Sequence, residues 1–336
     1  MENVLDVNQL RTVFETDRGQ VVSVDDVSFS LKAGEVLAIV GESGCGKSVT
    51  ALSIMRLLGK NSRIDHGNIV LDGTNLLELN EKQMQEIRGN RISMIFQEPM
   101  TSLNPVFTIG YQMIEAIQLH TDQDKKQASA SAIEMLKKVG LPRPERIMKD
   151  YPFALSGGMR QRVMIAMALA CKPKVLIADE PTTALDVTVQ AQIIRLMKEL
   201  CAEVGTAIIL ITHDLGVVAE IADRVLVMYA GQVVEETDVF TLFDRPGHPY
   251  TQGLLRSVLH LDADKDARLV SIPGSVPTMY QSLKGCRFHN RCSYATEHCL
   301  SHPPTLEATQ QGHWTRCWEV EAAASSERQS GGGVSS

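Results

Sequence analysis

The sequence predicts an α/β protein organised around a mostly parallel sheet, and three observations predict it. Four short runs, 36–40, 175–178, 207–211 and 224–228, are apolar without alternation, as strands buried on both faces of a parallel sheet are. Helical stretches separate them, and residues 189–203 carry Ile193, Ile194, Met197 and Leu200 at the spacing of one helix face. The 336 residues are 44% hydrophobic, enough core for one large domain with an appendage or for two modest domains.

Ahead of the first buried strand, residues 4–32 alternate more strongly (Val24, Val27, Phe29, Leu31), which predicts a small antiparallel layer. From Glu81 to Ala170 the composition turns helical, most clearly over 111–120 and 127–139, and a helical subdomain inserted at about 90–170 is expected. Beyond Gly231 prolines recur (Pro246, Pro249, Pro273, Pro277, Pro303, Pro304), marking a C-terminal module. Residues 321–336 form a Ser/Gly-rich tail expected to be disordered.

A net charge of −7 supplies no basic field, so nucleic acid is not an expected partner. No apolar run approaches the ~20 residues of a membrane-spanning helix, and the start of the chain lacks the basic and apolar regions of a secretory signal. A cytoplasmic protein is expected. In a reducing compartment the seven cysteines do not form a disulfide framework.

Residues 41–48, Gly-Glu-Ser-Gly-Cys-Gly-Lys-Ser, fit G-x-x-x-x-G-K-[ST] between a predicted strand and a helical run starting at Val49. Glycines let backbone N–H groups converge on phosphates, and a helix N-terminus adds favourable dipole charge. The expected nucleotide-binding set is Gly41, Ser43, Gly44, Cys45, Gly46, Lys47, Ser48 and Val49. Within it Lys47 reaches the β/γ-phosphates, Ser48 ligates Mg²⁺, and Cys45 is a spacer rather than a nucleophile. Asp179 and Glu180 end a buried strand, where ligands of open α/β sheets collect. Asp179 suits Mg²⁺ and Glu180 suits the attacking water.

Leu155-Ser-Gly-Gly-Met159, followed by Arg160-Gln-Arg162, resembles the signature motif of ABC ATPases. Ser156 can cap a helix so that Gly157 and Gly158 present amides to an anion. The resemblance implies that this surface faces a γ-phosphate held by a second ATPase subunit, a paralogue of this chain. It also makes Gln97 the Q-loop glutamine and a Mg²⁺ ligand, 184–186 the D-loop, His213 the switch histidine and Phe14 the adenine-stacking aromatic, with Phe14 equally placed to be core. The implied fold is a RecA-like parallel core with an antiparallel β layer, the helical insertion and a small Cys-rich C-terminal module. Residues 1–245 become the nucleotide-binding domain and 246–320 the C-terminal region.

Residues 96–105 and 245–255 narrow the resemblance to the ATP-binding subunits of dipeptide and oligopeptide importers. The family then implies two membrane permease subunits, an extracytoplasmic binding protein and peripheral attachment at the cytoplasmic face of the membrane. Nickel and glutathione importers share the subfamily, and a soluble non-transport ABC ATPase is the other alternative. Cys286, Cys292, Cys299 and Cys317 have the ligand count of a metal site. Their spacing is unlike a zinc ribbon and resembles the tail of peptide-permease ATPases, which implies a [4Fe-4S] cluster, with zinc or free buried thiols as alternatives.

Overall fold

A computed structural model describes residues 2–17, 19–97, 102–182, 186–257, 272–277 and 283–320. Two long strands, β1 (Asn3–Thr16) and β2 (Gly19–Lys32), open the chain, and β3 (Val36–Val40) leads into helix α1 (Lys47–Ile54). Strands β4 (Ser62–Leu71) and β5 (Thr74–Asn75) follow, then α2 (Glu81–Ile87) and β6 (Ile92–Ile95). Helices α3 (Ile109–His120), α4 (Lys125–Lys138), α5 (Pro144–Ile147) and α6 (Gly157–Leu169) come next. The α/β alternation resumes with β7 (Val175–Asp179), α7 (Val187–Val204), β8 (Ala207–Ile211), α8 (Leu215–Ile221) and β9 (Arg224–Tyr229). The elements that follow in the described residues are β10 (Gln232–Asp238), α9 (Val239–Asp244), α10 (Pro249–Arg256), α11 (Glu297–Ser301), β11 (Glu307–Gln310) and β12 (His313–Thr315).

The chain divides into two units, one of Met1–Asp6, Ser30–Val36 and Ile69–Thr212, the other of Val7–Phe29, Leu37–Asn68 and His213–Ser336. In the first unit β6, β7 and β8 run parallel, with Val175 opposite Ile92 and Ala207, and Asp179 opposite Ile211. Every residue of β7 and β8 is buried, which is why these strands lack alternation. Helix α4 packs on α3 and α6. Local chemistry sets the helix starts: Thr108 caps α3, Asp124 and Gln127 form a capping box on α4, and Asp186 caps α7.

In the second unit β3 lies parallel to β9, and β9 turns into antiparallel β10 through Ala230 and Gly231, both at positive φ. That is the two-residue turn whose twist suits a hairpin. Strand β12 then pairs with the other edge of β10, and β11 with β12. One core joins Val40 of β3, Val227 and Tyr229 of β9, Val234 of β10, Tyr250 of α10 and Phe288. A buried polar node anchors the connection between α9 and α10. The fully buried carboxylate of Glu235 accepts from the Gly247 N–H (2.6 Å) and His248 N–H (2.9 Å) and pairs with His313 Nε2 (2.7 Å).

Candidate nucleotide site

The phosphate loop grows out of a strand with no exposed residue. After Val40 the backbone passes through Gly41 and Gly46, each at positive φ, where a side chain would collide with main chain: a Cβ on Gly41 would lie 2.2 Å from Met228 O, and one on Gly46 2.6 Å from Ser23 O. Only glycine closes this loop. Gly46 starts α1, so the first amides of that helix follow the glycine turn, the arrangement that holds phosphate. Ser43 and Gly44 are exposed on the rim, and Ser48 and Val49 are half-buried. Lys47 is 6% exposed. Its Nζ donates to Gly41 O (2.7 Å) and Glu42 O (3.1 Å) and so lies across the loop. Cys45 is wholly buried, and burial pushes its thiol pKa up despite the Lys47 charge, as suits a spacer.

These residues fit a nucleotide triphosphate: a glycine-built cradle, a helix N-terminus and a lysine whose ammonium now rests on carbonyls that a phosphate would replace as partner. His213 is exposed, directly before Asp214, whose side chain caps α8 by accepting from Gly216 and Val217 N–H. Phe14 lies within strand β1 and is half-buried.

In the other unit, Asp179 ends β7 at 5% exposure and Glu180 follows it. Glu180 has φ +45°, a left-handed conformation that a non-glycine residue adopts at a cost, and its N–H is tied to Ile211 O at 2.9 Å. Gln97 is exposed just after β6, and its Nε2 donates to Glu180 Oε2 at 3.0 Å. The structure thus joins a carboxylate carried on a left-handed backbone position to an amide from a neighbouring strand end.

Ser156 is the N-cap of α6, its Oγ accepting from Met159 N–H at 3.3 Å. Arg160 reaches back to Leu155 O (2.7 Å) and fixes the turn that presents Ser156, while Gly157 and Gly158 form the first, half-buried turn of the helix. Residues 98–101 of the Q-loop stretch and 184–185 of the 184–186 D-loop lie outside the described residues, as does the 321–336 tail.

The four C-terminal cysteines require a correction. Among the described residues no group of three or more Cys, His, Asp or Glu side chains could hold a metal ion, so neither the iron–sulfur cluster nor zinc stands. The sulfurs line a small apolar cavity with His248, Phe288 and Trp318. Burial pushes Cys292 up, Cys286 to about 11 and Cys317 to about 12. Cys299 Sγ meets Thr296 Oγ1 at 3.4 Å, and Cys317 Sγ accepts from Glu319 N–H at 3.3 Å. Four sulfurs at suitable spacing are here part of the packing of the C-terminal region.

No motif announces two side chains that reach the phosphate loop. Tyr250 Oη accepts from Glu42 N–H at 2.8 Å, and Arg291 forms a two-pronged pair with the Glu42 carboxylate at 2.6 and 2.9 Å. Tyr250 falls inside the 245–255 stretch; Arg291 carries no local signal.

Residues 24–183 match the family model described as ABC transporter, and residues 234–299 match that described as oligopeptide/dipeptide transporter, C-terminal region. The chain is 53% identical to the oligopeptide transport ATP-binding protein AppD of Bacillus subtilis, over 96% of this chain and 98% of AppD. It is 51% identical to the oligopeptide transport ATP-binding protein OppD of Salmonella typhimurium, over 94% and 93%. Among solved structures it is similar to the dimeric post-hydrolysis ATP-binding cassette MJ0796 bound to ADP and Pi, with 27% identity, a TM-score of 0.63, and coverage of 70% of this chain and 98% of that one.

Proposed function

The chain belongs to the family of ABC transporter ATP-binding subunits, and from that premise we propose that it hydrolyses ATP to drive import of di- and oligopeptides. The observation that carries the peptide reading is the match of residues 234–299 to the oligopeptide/dipeptide C-terminal region, with near full-length similarity to AppD and OppD. Nothing in the site favours nickel, glutathione or a soluble role over peptide.

The roles divide by chemistry. Gly41, Ser43, Gly44, Cys45, Gly46 and Val49 shape the loop for the phosphates, and Lys47 trades its carbonyl partners for β/γ-phosphate oxygens. Ser48, Asp179 and Gln97 are the proposed Mg²⁺ ligands. The bound ion supplies charge neutralisation on the phosphate oxygens. Glu180 orients and deprotonates the attacking water, with Gln97 fixing the carboxylate, and His213 hydrogen-bonds the γ-phosphate. Phe14 stacks on adenine. Ser156, Gly157 and Gly158 close on the γ-phosphate of a second ATPase subunit, a reading supported by the dimeric state named for the MJ0796 cassette.

The finer assignments are of the same kind: residues 1–245 as the nucleotide-binding domain with its helical subdomain at 90–170, and 246–320 as the Cys-rich peptide-permease region. Among the described residues no helix is long and apolar enough to cross a membrane, so two permease subunits provide the path and an extracytoplasmic protein delivers the peptide. Attachment is peripheral, at the cytoplasmic face. Two exposed stacked pairs, Phe107 with Tyr111 and Tyr151 with Phe153, support a permease-docking role for the helical region. They flank one junction, since Ile109 N–H bonds Asp150 O and Gly110 N–H bonds Met148 O.

The test is ATPase activity and uptake in vesicles carrying the assembled transporter with its binding protein. Peptide should stimulate both. Stimulation by nickel or glutathione alone would overturn the peptide reading, and failure to co-purify with membrane subunits would overturn the importer reading.

A further inference from the structure

Glu42, the second residue of the phosphate loop, is gripped by the C-terminal region through both backbone and side chain. Its N–H is spent on Tyr250 Oη, so it does not turn toward phosphate. Tyr250 is itself fully buried, with its ring 4.7 Å from that of Tyr229 and 5.5 Å from that of Phe288. The carboxylate takes both prongs of Arg291, whose side chain is 4% exposed against 32% for Glu42. Arg291 is anchored independently: Nε donates to Pro273 O at 2.8 Å, and the guanidinium lies 5.7 Å from the Tyr229 ring centre and 6.0 Å from that of Phe288. A planar fork fixed on one side and paired on the other gives its partner little freedom. The third polar group of Glu42, its carbonyl, accepts from Lys47.

One residue therefore connects the buried C-terminal aromatic nest to the lysine expected to hold phosphate. We infer that Arg291 and Tyr250 are positioning residues for ATP: by holding Glu42 they preset the phosphate loop and the pose of Lys47, so the C-terminal region sets nucleotide affinity. The inference rests on the ATP-binding reading above. A released loop samples more conformations, and the cost of ordering it then falls on nucleotide binding.

The experiment measures KM for ATP and kcat in the assembled transporter for wild type, Glu42→Gln, Arg291→Gln, the double variant and Tyr250→Phe. Each single change should raise KM roughly 3- to 10-fold, with the loss falling on KM more than on kcat. The double variant should be no worse than the weaker single, because both changes break the same pair. An unchanged KM in Glu42→Gln and Tyr250→Phe, or effects that multiply in the double variant, would overturn the inference. Should Arg291→Gln fail to assemble, Glu42→Gln, altered at a partly exposed loop position, and Tyr250→Phe, which keeps the ring, decide the matter alone. Lys47→Ala runs alongside. If it binds ATP like wild type the ATPase reading fails, whereas a flat KM beside an inactive Lys47→Ala defeats only the positioning role.

Discussion

Gln97 Nε2 donates to Glu180 Oε2 at 3.0 Å, linking the ends of two neighbouring parallel strands. A carboxylate held by an amide keeps its lone pairs aimed while remaining a base, which an exposed, freely rotating glutamate would not. In the assembled transporter Glu180→Gln should lower kcat by about 10²- to 10⁴-fold while ATP still binds. Near-normal turnover would remove Glu180 from the role of base.

The left-handed backbone at Glu180 makes a second, separable expectation. Such a conformation costs a non-glycine residue about 1–3 kcal/mol, and glycine's extra unfolded-state entropy offsets about 0.5–1 kcal/mol of any relief. Glu180→Gly should therefore abolish hydrolysis yet leave the melting temperature equal to or above wild type. A clear drop in melting temperature would show that the backbone there is not under strain.

The four strands β3, β7, β8 and β9, the phosphate loop and the Ser156 cap were legible in the sequence because each rests on local signals: unbroken apolar runs, a glycine and lysine spacing, a hydroxyl before a helix. What was not legible depends on distant partners. Arg291 meets Glu42 across 249 residues, and β12, which pairs with β10, is three residues long, too short to show a period. The cysteines misled for a related reason: spacing counts sulfurs, whereas packing decides whether they can act together as ligands. Phe14 differs only in its setting: the resemblance looks for an aromatic in a loop, and the residue lies half-buried near the end of strand β1.

Acid should loosen the C-terminal region through His248. Burial lowers its pKa from 6.5 to about 4, and its Nδ1 accepts from Tyr250 N–H at 3.0 Å, which requires the neutral ring. The unfolded chain binds this proton below pH ~6.5 and the folded chain does not until about pH 4, so stability falls as pH drops through that window. The loss attributable to this group is about 3 kcal/mol at the acid end. His248→Asn, which keeps an acceptor at the helix cap, should flatten the slope of denaturant midpoint against pH between 6.5 and 4. An unaltered slope would assign the acid sensitivity elsewhere.

Thiol reactivity checks the phosphate loop from another side. Cys45 and Cys201 are buried, with burial raising both thiols and taking Cys201 to about 12. At pH 8 both should alkylate at least ~100-fold more slowly in the native chain than in denaturant, read by mass spectrometry. Rapid native labelling of Cys45 would mean that the loop opens on its own.

The grip on Glu42 also imposes an order on synthesis. The phosphate loop is made early, but Tyr250 follows Glu42 by 208 residues and Arg291 by 249. At ordinary translation speeds the loop spends about 10–50 s without its clamp. Strand β10 likewise waits for β12 to cover its outer edge. A chain that stops short of its C-terminal region is thus left with an unset loop and an open sheet edge, the form most exposed to aggregation and proteolysis.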